Sequence, residues 1–137
     1  MGSFYRIAES STTVMSCFDG NQAQIVEKVS HSNPGYIHQS WQFIAVLGSA
    51  STYYIRNAAN VYLQASDDTV FAADSEEASQ WVLVPQSPIL GKIPYKIKAS
   101  GTDLWMQITD DAVDLGSDTN AVVWDIQMQD NYPLDPR

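Results

Sequence analysis

Two histidines, one cysteine and several close-set carboxylates are the residues of this 137-residue chain best suited to chemistry. His31 and His38 stand in or beside one turn-rich segment and have the right side chain for a general base or a metal ligand. Nucleophilic catalysis would pair such a base with an activated hydroxyl or thiol, yet no Gly-x-Ser-x-Gly elbow or comparable turn occurs. Cys17 ends the alternation Val14-Met15-Ser16-Cys17 and reads as a small buried or half-buried hydrophobe. One Cys and two His make no tetrahedral zinc spacing. The run from Asp110 to Asp118 is rich in oxygen ligands, but its glycine is misplaced for a calcium loop and no bidentate Glu follows. An Asp-Asp pair recurs at Asp67-Asp68, so hairpin turns account better for both. The expectation is therefore a protein that is not an enzyme and needs no metal and no cofactor.

Composition narrows the partners. With 7 Lys+Arg against 16 Asp+Glu and a net charge of −9, the chain lacks the clustered cations that bind nucleic acid or an anionic membrane surface. A lone cysteine makes no internal disulfide. The first residues hold no apolar stretch of the kind that heads a secretory signal, and no run is long enough to span a bilayer, so a cytoplasmic location is expected. The 45% hydrophobic content supports a folded core, and 137 residues suit one domain.

A repeat organises that domain. Three Tyr-x-Ile triplets, Tyr5-Arg6-Ile7, Tyr53-Tyr54-Ile55 and Tyr95-Lys96-Ile97, are each followed by a Trp-x-hydrophobic step at Trp41-Gln42-Phe43, Trp81-Val82-Leu83 and Trp124-Asp125-Ile126. Val61–Val70 aligns with Leu104–Val113, with Gln64/Gln107, Asp67/Asp110, Asp68/Asp111 and Val70/Val113 identical. Repeat one diverges: Asp19-Gly20 is matched to the Asp-Asp pairs, and the surplus residues fall in the Ser30–Tyr36 loop, where Asn33-Pro34-Gly35 is a strong turn signal. The segments are short, β-branched or aromatic and bounded by turn formers, predicting about four strands per repeat and about twelve in all. At most one helical turn is expected, at 74–80, and the tail 130–137 is expected to be extended. Three such repeats, about 1–50, 51–92 and 93–137, are too few for a propeller and match an all-β β-trefoil with pseudo-threefold symmetry. The three Ile and three Trp would share its core.

With Gln39-Ser40-Trp41 as one intact Gln-x-Trp, the pattern resembles the ricin-B-like β-trefoils, and most of all the fungal cocaprin-type inhibitors of cysteine and aspartic proteases. The resemblance implies an acidic homodimer that obstructs papain-like cysteine proteases, with pepsin-like aspartic proteases as a second target. The alternative it implies is a carbohydrate-binding lectin. In that branch an Asp follows the second strand of each repeat, whereas this chain has Ser16, Gln64 and Gln107, which cannot supply a charged acceptor to sugar hydroxyls.

The loop expected to enter the protease is Phe18-Asp19-Gly20-Asn21-Gln22, where the repeat's pattern breaks. Asp-Gly and Gly-Asn favour a narrow projecting turn, and a glycine tip fits a slot too tight for a side chain. The Ser30–Tyr36 loop is the second candidate, because repeat one alone carries the extra residues. Lys28, Arg56 and Lys92 rank third, as residues for a trypsin-like pocket.

Overall fold

The computed structural model describes residues 3–129. The expected tail at 130–137 lies outside them. Twelve antiparallel strands form: β1 (Phe4–Ala8), β2 (Thr13–Ser16), β3 (Gln24–Glu27), β4 (Trp41–Ala45), β5 (Thr52–Asn57), β6 (Tyr62–Ser66), β7 (Thr69–Ala73), β8 (Trp81–Pro85), β9 (Tyr95–Ala99), β10 (Trp105–Thr109), β11 (Ala112–Gly116) and β12 (Asp125–Gln129). The all-β expectation holds. At 74–80 there is only a turn, in which the Asp74 carboxylate accepts from the N–H groups of Glu76 and Glu77 at 3.2 and 3.3 Å.

Six strands close a ring through the pairs β1–β4, β4–β5, β5–β8, β8–β9 and β12–β1 and through a bridge between Tyr95 of β9 and Trp124, the residue before β12. The other six form the hairpins β2–β3, β6–β7 and β10–β11. These hairpins touch one another at Gln24–Ala112, Asp114–Thr69 and Gln22–Phe71. Each repeat uses the same register: Tyr5 faces Trp41, Tyr53 faces Trp81 and Tyr95 faces Trp124.

Strand periodicity explains the core. Residues two apart share a face, so Ile7, Ile55 and Ile97 point inward with Trp41, Trp81 and Trp124, and all six are fully buried in one cluster. A buried tryptophan removes roughly 200 Å² from water, about 5 kcal/mol as an upper bound. Two of the indoles are also tied to a hairpin: Trp41 Nε1 donates to the Met15 carbonyl at 3.0 Å and Trp81 Nε1 to the Leu63 carbonyl at 3.2 Å. Trp124 Nε1 is buried without a partner among the described residues.

The Ser30–Tyr36 segment departs from the expected loop. Pro34–Gln39 is a 3-10 helix, with Asn33 as its N-cap accepting from the Gly35 N–H at 2.8 Å. Asn-Pro is a turn signal, but it is also a cap followed by a residue preset for the first helical position. Buried Tyr36 and Gln39 hold the helix down.

Candidate functional site

The Phe18–Gln22 segment connects β2 to β3. In the other hairpins Ser66 faces Thr69 and Thr109 faces Ala112, so the turns are the two-residue Asp67-Asp68 and Asp110-Asp111. The hairpin-turn reading of both acidic pairs therefore holds. In repeat one Ser16 faces Gln24, and seven residues intervene.

The geometry corrects the matching of Asp19-Gly20 to the Asp-Asp pairs. Gly20 has φ +79, as Asp67 has +55 and Asp110 has +51. The Asn21 carbonyl accepts from the Ala72 N–H at 2.9 Å, just as those of Asp68 and Asp111 accept from Leu115 and Ile25 at 2.7 and 2.8 Å. Gly20-Asn21 thus occupies the Asp-Asp place, and one additional residue precedes it. Residue types alone favour the other alignment because it puts Asp19 on Asp67 and Asp110.

That extra residue pushes Phe18 and Asp19 outward. Phe18 is 49% exposed, an unusual position for an aromatic ring, and Asp19 and Gly20 form the exposed tip. A Cβ built on Gly20 would meet nothing within 4 Å. Gln22 is different. It is half-buried, and its Nε2 donates to the Val113 carbonyl at 3.0 Å, so it anchors the loop rather than projecting with it.

The base of the loop is fixed from several sides. The Cys17 N–H donates to the His38 carbonyl at 3.3 Å, and the Ala23 N–H to the Val70 carbonyl at 2.8 Å. Asn57, fully buried, donates from Nδ2 to the Cys17 carbonyl at 2.9 Å while its Oδ1 accepts from the N–H groups of Ala59 and Val61. Burial, and then the nearby Asp19 carboxylate, pushes the Cys17 thiol up to about 12. It is a packed group, as expected, and not a nucleophile.

The favoured loop meets the 3-10 helix Pro34–Gln39, into which the second candidate segment Ser30–Tyr36 runs. The Phe18 ring stacks on His38 with centroids 3.9 Å apart and planes 17° from parallel. Burial holds His38 below its ordinary value, and its Nδ1 has no hydrogen-bond partner among the described residues. His31 instead sits edge-on to Tyr36 at 6.0 Å. Arg6 lies over the other candidate segment, 5.3 Å from the Tyr36 ring, and donates to the Val29 carbonyl. Desolvation lowers the Arg6 value and raises that of Tyr36. Among the described residues no group of three His, Cys, Asp or Glu side chains is placed to hold a metal ion.

Of the residues that the lectin alternative singles out, Gln39, Ser16 and Gln107 are engaged or buried within the chain. Gln39 accepts from the Val29 N–H at 3.1 Å and donates to the Glu27 carbonyl at 2.9 Å. Ser16 is buried, and the Gln107 amide lies over Gly116 so closely that a Cβ there would come within 2.2 Å of it. Of the three basic candidates, Arg56 is engaged with Gln42 and the Tyr62 ring, whereas Lys28 and Lys92 are exposed.

Sequence reasoning did not single out Asn57 or the tip beside Lys92. Asn57 looked like one more turn residue, and its partners are 40 positions away in Cys17 and in the next turn. The Pro85–Pro94 connector carries a turn in which Ile89 pairs with Lys92 and Leu90 is 98% exposed. Apolar residues bracketed by Ser87-Pro88 and Gly91 were the available signal.

No family model and no curated protein matches this chain. Solved structures do. The chain is similar to a chain of the cytolethal distending toxin from Actinobacillus actinomycetemcomitans, with TM-score 0.72, 10% identity, and 91% of this chain and 90% of that one covered. It is also similar to a mutant GH54 α-L-arabinofuranosidase soaked with 4-nitrophenyl α-L-arabinofuranoside, with TM-score 0.67 and 12% identity; the match covers 92% of this chain and 31% of that one. At these identities the likeness is one of fold.

Proposed function

We propose that the chain is a β-trefoil protease inhibitor, with the six-strand ring as its barrel and the three hairpins as its cap. In this reading it obstructs the cleft of papain-like cysteine proteases, with pepsin-like aspartic proteases as a second target, and performs no covalent chemistry. Phe18, Asp19, Gly20 and Asn21 enter the cleft, and Gln22 secures the loop from behind. One observation carries the reading: an unobstructed glycine tip stands on a base tied to His38, Asn57, Val70 and Val113. A loop already held in its docking shape loses little entropy on binding, so more of the contact energy becomes affinity. Exposed Phe18 supplies the apolar anchor beside the tip.

The lectin reading has less support, because Gln39 is buried and bonded at both ends of its amide and no carboxylate stands at residues 16, 64 or 107. Titration of papain, trypsin and pepsin, beside a glycan-array measurement, tests the proposal. Inhibition of papain without glycan binding is expected. Strong glycan binding with all three proteases unaffected would replace inhibitor with lectin.

A further inference from the structure

The Tyr-x-Ile and Trp-x-hydrophobic motifs put their Ile and Trp into the core, which leaves the other half of each motif unexplained. The structure gathers those halves. Tyr5, Tyr53 and Tyr95, with Phe43, Leu83 and Ile126, line a cavity of about 330 Å³. Trp41 and Trp81 bond to the hairpins, and Phe43 and Leu83 stand two residues farther along the same strands. The cavity is therefore the mouth of the ring at the end away from Gly20, and an inference drawn from it does not depend on the protease reading.

The ring contacts of the mouth lie on one side. Phe43 sits edge-on between two tyrosines, 5.7 Å from Tyr5 and 6.0 Å from Tyr53. Leu83 is its counterpart in repeat two: it faces Ile97 as Phe43 faces Ile55. Leu83 carries no ring, and Tyr95 has no aromatic partner among the described residues. None of the three phenol oxygens has a hydrogen-bond partner among them either.

We propose that this mouth binds a small uncharged bicyclic aromatic compound carrying one hydroxyl or N–H group. The ligand's rings take the place beside Tyr95 and Leu83 that Phe43 fills on the other side, and its polar group meets a phenol oxygen. Size fits: an apolar cavity of about 150 Å³ holds one benzene ring, so twice that volume takes two fused rings. Charge fits as well, since no lining side chain is ionised and the chain's −9 disfavours an anion. A pyranose has fewer strong partners here, because the lining side chains offer its vicinal hydroxyls only the phenols and the Ser3 hydroxyl and no charged acceptor.

The test is an NMR titration of the full chain with 2-naphthol and with naphthalene. Saturable one-site shifts at Tyr53, Leu83, Tyr95 and Ile126 are expected. Leu83→Phe supplies the missing ring from the protein itself and should weaken binding about tenfold or more, roughly 1.4 kcal/mol, with an unchanged urea midpoint. Tyr95→Phe removes one oxygen and leaves the packing, so it should weaken 2-naphthol several-fold and naphthalene not at all. No saturable shift, shifts centred on the Ile89–Leu90 turn, or full affinity in a folded Leu83→Phe would overturn the proposal. So would equal losses for both ligands in Tyr95→Phe.

Discussion

Phe18 and His38 stack face to face, and through that contact the β2–β3 loop and the 3-10 helix Pro34–Gln39 become one surface. The second candidate segment, Ser30–Tyr36, runs into this helix, and the helix supports the loop. It offers a flat ring beneath Phe18 and a carbonyl to the Cys17 N–H.

The same contact predicts a pH dependence. Burial depresses the His38 value, so the unfolded chain takes up a proton near pH 6.5 that the folded chain refuses. Stability should fall as pH drops through the unfolded value and level off below the folded one. Urea midpoints from pH 7.5 to 5 should decline more in the wild type than in His38→Gln, and parallel curves would exclude the effect.

Cys17 should resist alkylation in the native protein. Its thiol is 1% exposed and pushed up to about 12, so almost no thiolate exists at pH 8. Iodoacetamide labelling followed by mass spectrometry should be slow without denaturant and complete in it. Rapid native labelling would show that the base of the loop opens.

Asn57→Ala should destabilise the fold by about 2–4 kcal/mol, because it orphans the Cys17 carbonyl and the N–H groups of Ala59 and Val61 in buried surroundings. Chemical denaturation measures this directly. A loss below about 1 kcal/mol would mean that water replaces the amide.

The three tryptophans look equivalent in the sequence and should not behave so. Trp41→Phe removes an indole bond to the Met15 carbonyl, whereas Trp124 Nε1 has no bond to lose among the described residues. Trp41→Phe should therefore cost about 1 kcal/mol more than Trp124→Phe by urea denaturation. Equal losses would show that volume alone decides.

Strand periodicity made much of this architecture legible. Ile7, Ile55 and Ile97 and the three Trp occur at regular intervals, and the backbone turns that regularity into one core. The Asp-Asp turns were legible for the same reason: two residues between paired strands leave little choice of conformation. What stayed hidden was long-range. Residue types could not reveal that Gly20, and not Asp19, takes the positive-φ place, because that depends on which carbonyl meets Ala72. Nor could they show that Gln22 turns inward to Val113, 91 residues away. The aromatic mouth was missed because Tyr5, Tyr53 and Tyr95 are a whole repeat apart in the chain and only the closed ring brings them together.

The most direct measurement compares papain inhibition by the wild type and Gly20→Glu. A side chain at φ +79 strains the turn by about 1 kcal/mol, which a chain of this size tolerates, and circular dichroism should be unchanged. The account predicts that inhibition weakens by about 30-fold or more, the scale of a 2 kcal/mol anchor. Equal potency of a folded Gly20→Glu protein would contradict it.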